Sequence, residues 1–333
     1  MKTETLFLNG DTAVTLTCYI QETSGEMPNT QKRPAILIFP GGGYQVCSDR
    51  EAEPIAMAYM AVGYNAFVLR YSLGEKAAFP GALRDAEQAL QIIIDRAGEW
   101  NVDATKIAVI GFSAGGHLAA SLGTLGSVKP SALILGYPCI TEETCKKLAM
   151  PVPSLEDKVD ETTPPAFIFS TWADELVPVR DSLAFANALY HAGVKCEIHI
   201  YQNGEHGLSL GKPHTSSGFA RLVDKNFAGW FELSVNWLNT LWGEFDHDAE
   251  HVVSGAKDAS DGYGIDVALV HMWGNRQCKN LILAAVPLLA DEEAFKQAKI
   301  ASLRMISAYA GDVLSEDILM ELDKKLREIP IER

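Results

Sequence analysis

The sequence predicts an α/β fold with a mostly parallel central sheet and helices on both faces. Mostly apolar runs at residues 35–39, 65–71, 107–110, 132–136 and 166–171, and a run of alternating polarity at 197–201, read as strands. They alternate with longer amphipathic segments near 51–62, 80–99 and 181–191, which read as helices. Strands that are apolar throughout, rather than every second residue, belong to a sheet covered on both sides. The second observation is the run after 107–110: Gly111-Phe112-Ser113-Ala114-Gly115 and then an Ala/Leu-rich helix start. The third is size: 333 residues, 47% of them apolar, suffice for one large or two ordinary domains.

The elements follow in chain order. Residues 6–8 and 14–19 suggest an antiparallel lead-in hairpin over Asn9-Gly10-Asp11. Between residues 137 and 165 the alternation breaks, with Pro138, Pro151, Pro153, Pro164 and Pro165 among many charges. A cap would be inserted here, and the segment allows only a short one. Trp230, Trp237 and Trp242 mark an amphipathic closing helix, so the first domain is expected to span 1–243 and a helical extension 244–333. Residues 245–264 are polar and read as a linker, and 265–273, 281–289, 291–310 and 315–329 as helices. Ser315 is a good N-cap with Glu316 and Asp317 behind it, and Ile318, Leu319, Leu322, Leu326 and Ile329 form an apolar face. Such faces must be covered, by the first domain or by a second subunit, and self-association is the favoured expectation.

The residues that carry chemistry sit on the loops after strands. A strand, a sharp Gly-x-Ser-x-Gly turn and a helix make a nucleophile elbow, which lifts the Ser113 hydroxyl clear of the sheet. A serine hydroxyl needs a base and an orienting acid. Asp174 follows the strand 166–171, and His206 lies in a glycine-flanked loop after 197–201. Glu175 is the alternative acid; His117, on the helix after the elbow, is expected to pack rather than react, and His199 to be a packed or surface residue. Gly41-Gly42-Gly43-Tyr44 follows the strand 35–39. Consecutive glycines let backbone N–H groups turn inward, so Gly42, Gly43 and Ala114 are assigned to an oxyanion hole. Tyr44 and Trp172 are placed at the mouth as substrate-binding residues; with the short cap they favour short acyl groups.

Five segments in this order, FPGGGY (39–44), LRYSLGEKAAFPGALRDAEQAL (69–90), GFSAGGHLAA (111–120), WADELVPV (172–179) and GEHGLSL (204–210), resemble the α/β-hydrolase superfamily. Within it they are similar to bacterial acetyl esterases and acetylxylan-esterase-like carboxylesterases related to the hormone-sensitive lipase group. The resemblance covers roughly the first three quarters of the chain. It implies ester hydrolysis through an acyl-enzyme on Ser113, with His206 as base and Asp174 as its orienting acid, no metal or organic cofactor, and an ester of a small molecule or oligosaccharide as substrate. Where that group carries an HGGG loop this chain has Pro40, which leaves the backbone donors intact and the loop's anchoring open. One scaffold of this kind hosts many chemistries, so the substrate is not fixed by it.

A net charge of −15 argues against nucleic acid or an anionic membrane as partner. The six cysteines show neither metal-finger spacing nor C-x-x-C, and are expected to be reduced thiols. No run approaches the roughly 18–20 apolar residues of a membrane span. Residues 1–6 lack the apolar core of a secretory signal, so a cytoplasmic location is expected. His247 and His251 lie four apart and could share a metal on one helical face, but solvated histidines are the default and no metal is expected. Two other readings remain: a non-catalytic binding protein, which would normally show a broken triad, and a serine peptidase or amidase, which normally carries a large sieving domain.

Overall fold

Among the residues that the computed structural model describes (1–10, 12–74, 79–245, 259, 262–309 and 314–331), eight strands form one sheet. They are β1 (Lys2–Phe7), β2 (Thr15–Ile20), β3 (Arg33–Phe39), β4 (Asn65–Arg70), β5 (Val102–Phe112), β6 (Ala132–Gly136), β7 (Ala166–Thr171) and β8 (Cys196–Tyr201). Their order is β1-β2-β4-β3-β5-β6-β7-β8. β1, β2 and β4 pair antiparallel, and every pair from β4–β3 to β7–β8 is parallel.

The order reverses at β3. From β3 the chain steps to β4 on one side, then crosses over to β5 on the other. The loops leaving β3 and β5 therefore diverge at the carboxyl ends of neighbouring strands, where open α/β sheets form their binding crevice. The glycine loop and Ser113 occupy those two loops, so topology brings them together before any side chain is considered.

Successive strand residues point to opposite faces, and both faces are buried. Leu37, Phe39, Val109, Leu133 and Ile168 pack on α2 (Phe79–Asp95), α3 (Ala114–Leu125) and α5 (Arg180–His191). Ile36, Ile38, Ile110, Phe112, Ile134 and Phe169 pack on α1 (Glu53–Ala61) and α6 (Trp230–Trp242). The segment 137–165 holds one short helix, α4 (Glu142–Cys145). Buried Asp181 of α5 anchors it by accepting from the backbone N–H groups of Ile140 and Thr141 and the hydroxyls of Thr141 and Thr144.

The chain divides into two compact units, Met1–Glu22 with Lys32–Glu244, and Thr23–Gln31 with Phe245–Arg333. Residues 23–31, expected in the first domain, thus group with the extension. The second unit contains α7 (Leu269–Met272), α8 (Arg276–Ala285), α9 (Glu292–Ala298), α10 (Leu303–Tyr309) and α11 (Glu316–Arg327). The expected helix 291–310 is broken. The N–H groups of Leu269 and Val270 take the carbonyls of Ala301 and Lys299, and Ala268 bridges Ser302. α8 starts earlier than expected, because the Asn275 side chain caps the N–H groups of Gln277 and Cys278, and Pro287 follows its end. Leu319, Leu322 and Leu326 of α11 pack with Ile265, Leu269, Met272, Ile282 and Leu303 in a core of this unit. No helix among the described residues is long and apolar enough to cross a membrane. His247, His251 and most of the expected linker lie outside the described residues, as does Asp11.

Candidate active site

Ser113 stands between β5 and α3 with φ 54° and ψ −118°, a sparsely populated conformation for a non-glycine residue. Its N–H donates to the Gly136 carbonyl at 2.9 Å, and its carbonyl accepts the His117 N–H at 2.9 Å. The flanking glycines are a steric necessity. A Cβ at Gly111 would lie 2.0 Å from the Gly115 carbonyl oxygen, and one at Gly115 would lie 2.1 Å from that of Phe39.

The Asp174 side chain, buried on the loop after β7, uses its two oxygens differently. Oδ1 accepts the N–H groups of Leu176 and Val177 at 3.0 and 2.9 Å, and Oδ2 lies 2.7 Å from Nδ1 of His206. An ionised carboxylate only accepts, so Nδ1 carries the proton, and Nε2 then accepts the Ser113 hydroxyl at 2.8 Å. Glu175, the alternative acid, is exposed. The His206 loop is pinned on both sides: the Thr171 hydroxyl donates to the Gly204 carbonyl at 2.7 Å, and Trp230 Nε1 donates to that of Ser209 at 2.9 Å. Trp230 is itself stacked on Phe169, centroids 4.2 Å apart, so the closing helix also positions the histidine.

The glycine loop lacks a histidine, and other groups anchor it. Tyr71 donates its hydroxyl to the Pro40 carbonyl at 2.6 Å, and the Gly41 N–H donates to Glu51 Oε2 at 2.9 Å. The Ala149 N–H reaches the Gly43 carbonyl at 3.1 Å, which ties the segment after α4 to the loop. Among the described residues, the N–H groups of Gly42, Gly43 and Ala114 donate to no protein acceptor.

Ser113, His206, Gly42 and Gly43 line a cavity of about 410 Å³. Its apolar wall is Val46, Leu148, Leu176 and Val177, and polar lining residues include Arg50, Glu51, Cys139, Thr144 and Lys147. Cys139 Sγ is 4.0 Å from Ser113 Oγ, and burial pushes its thiol pKa up, so it meets the site as a neutral group. No group of three or more His, Cys, Asp or Glu among the described residues is arranged to hold a metal.

Two expected substrate-binding residues lie elsewhere. Tyr44 is fully buried, at 0% exposure: its φ of 61° swings the ring away from the mouth, and its hydroxyl donates to His117 Nδ1 at 2.9 Å. Trp172 is 68% exposed and is not part of the cavity wall. His117 packs, as expected. Its Nε2 faces the Pro153 carbonyl at 2.9 Å and so holds the proton, and burial lowers its pKa to about 4. His199 also sits as expected, against Phe167 and hydrogen-bonded to Glu197. Local pattern does not mark Arg50 and Glu51, because Ser48-Asp49-Arg50-Glu51 has the composition of a solvated turn, nor Tyr137, which stands alone after a strand.

A family model described as BD-FAE matches residues 26–131. Endo-1,4-beta-xylanase B of Butyrivibrio fibrisolvens is 34% identical over 244 residues, 64% of this chain and 37% of that protein. An acetylxylan esterase of Xylanibacter ruminicola is 28% identical over 294 residues, 79% of this chain and 55% of that protein. The chain thus spans less than two thirds of either relative's length. The crystal structure of an α/β-hydrolase enzyme from a Medee basin deep-sea metagenome library is 48% identical, with a TM-score of 0.68. That alignment covers 72% of this chain and 98% of the other. With its sheet order, its elbow and this relative of near-complete coverage, the chain belongs to the α/β-hydrolase superfamily.

Proposed function

We propose that the protein is a carboxylic ester hydrolase acting on short acyl groups, with acetylated xylan-type oligosaccharides as its substrate class. The observation that carries the chemistry is the row Asp174 Oδ2, His206, Ser113 Oγ, joined at 2.7 and 2.8 Å and opening into the cavity. Similarity to an acetylxylan esterase and to a xylanase supports the substrate class.

In this reading His206 Nε2 takes the hydroxyl proton as Ser113 Oγ attacks the ester carbonyl. The free N–H groups of Gly42, Gly43 and Ala114 receive the oxyanion. His206 then returns the proton to the leaving alcohol, and Asp174 holds the Nδ1–H tautomer and balances the imidazolium. Water repeats the sequence on the acyl-enzyme. The cavity of about 410 Å³ exceeds what an acetyl group fills, and the remainder accommodates the alcohol around the scissile bond. The segment that covers it, residues 137–165, is too short to build a long acyl channel.

The test is a panel of p-nitrophenyl esters of rising acyl length beside aminoacyl-nitroanilides. Highest kcat/KM on acetate, falling steeply between butyrate and hexanoate, is expected. A preference for octanoate removes the short-acyl reading, and anilide cleavage that outpaces ester cleavage moves the protein to the peptidases. We further propose that the exposed Leu288, Ile318 and Met320 of the second unit serve self-association. Light scattering on the full chain and on a chain ending at Gly243 tests this, and a full chain that stays monomeric contradicts it.

A further inference from the structure

We propose that Glu51 is a positioning residue that, through Tyr137, locks the glycine loop to the loop carrying His206. The inference rests on the hydrolase reading above and names what holds its two halves in register.

Glu51 is 3% exposed and stands in the cavity wall. Its Oε2 accepts the Gly41 N–H at 2.9 Å, and its Oε1 accepts the Tyr137 hydroxyl at 2.5 Å. The one proton of Tyr137 is thereby committed, which leaves the phenol oxygen to accept the Ser209 N–H at 3.0 Å. The same ring lies against the His206 imidazole, centroids 5.0 Å apart and edge to face. One carboxylate thus joins the loops after β3, β6 and β8. Arg50 extends the clamp: its Nη1 donates to the carbonyls of Gly207 and Thr215, and its own carbonyl accepts the Ser209 hydroxyl. A Cβ on Gly41 would lie 2.6 Å from Oε2, so the carboxylate is seated directly against the loop.

A buried carboxylate is expensive, and packing alone would favour an apolar side chain. What the carboxylate adds is two acceptors aimed at donors on two separate loops. A glutamine of the same size replaces one acceptor oxygen with an NH2 group that only donates, and so cannot receive both the Gly41 N–H and the Tyr137 O–H at separate atoms. Oxyanion donors must sit within about 2.7–3.1 Å of the developing charge, so slack in this clamp appears in the transition state more than in ground-state binding.

The experiment compares wild type, Glu51→Gln, Tyr137→Phe, the double variant and Ser113→Ala on p-nitrophenyl acetate. A fluorophosphonate titrates the folded sites and reports its own labelling rate. Glu51→Gln is expected to lower kcat per titrated site by about 10–100-fold, with KM within about threefold and labelling slowed in step. Tyr137→Phe, which keeps the Gly41 bond, is expected to lose about tenfold, and the double variant no more than Glu51→Gln alone. Glu51→Gln within about twofold of wild-type kcat per site, a loss confined to KM, or additive losses in the double variant overturns the proposal. If Glu51→Gln does not fold, Tyr137→Phe at wild-type kcat overturns it by itself. An inactive wild type, or a fully active Ser113→Ala, instead brings down the hydrolase reading on which the proposal rests.

Discussion

The carboxylate of Asp174 meets His206 Nδ1 at 2.7 Å while the N–H groups of Leu176 and Val177 hold its other oxygen. The acid is therefore fixed by its own loop before any substrate arrives. Asp174→Asn keeps the shape and presents an amide that favours the wrong imidazole tautomer, so kcat should fall by about 10³–10⁴-fold. Glu175→Gln, on an exposed neighbour, should stay within about threefold. Steady-state kinetics on p-nitrophenyl acetate check both, and the reverse ranking would move the acid to Glu175.

Buried His117 makes stability depend on pH. Its pKa is about 4 in the fold against 6.5 as the ordinary value. Above pH 6.5 both folded and unfolded states are neutral there, and the fold is unpenalised. As pH falls from 6.5 towards 4 the unfolded chain takes up a proton that the folded one refuses, so stability is lost through that window. The loss approaches about 3 kcal/mol and levels off below pH 4. Denaturant titrations at several pH values should show this slope in wild type and a flatter one in His117→Gln. Equal slopes would remove His117 as the cause.

Close backbone approach at the elbow sets a sharp contrast between glycines. Gly115→Ala places a Cβ 2.1 Å from the Phe39 carbonyl oxygen and should destabilise by about 3 kcal/mol or more. Gly43→Ala meets nothing within 4 Å, and its φ of 65° alone should cost about 1–2 kcal/mol. Thermal melts rank the two, and a milder Gly115→Ala would mean that the elbow relaxes.

Much of this was legible from local pattern. Ser113, Asp174 and His206 are readable because each lies on the loop after a strand-like run, and a parallel sheet delivers all such loops to one end. Tyr44 was not: a residue after three glycines looks like a mouth residue, and only its φ of 61° turns the ring inward to His117. Arg50 and Glu51 were hidden because their partners, Gly207, Thr215 and Tyr137, lie more than 80 positions away. The break between α9 and α10 comes from pairing with residues 268–270, which the periodicity of 291–310 does not contain.

In the proposed reaction the Ser113 hydroxyl forms the acyl-enzyme. The most direct test of this step is the rate of p-nitrophenyl acetate hydrolysis by Ser113→Ala, with intact-mass and peptide mapping of fluorophosphonate-treated wild type beside it. Expected are a loss of at least about 10³-fold in kcat with an unchanged melting temperature, and a single adduct on the Ser113 peptide. A Ser113→Ala protein that keeps a tenth of wild-type activity, or an adduct on another residue, would contradict it.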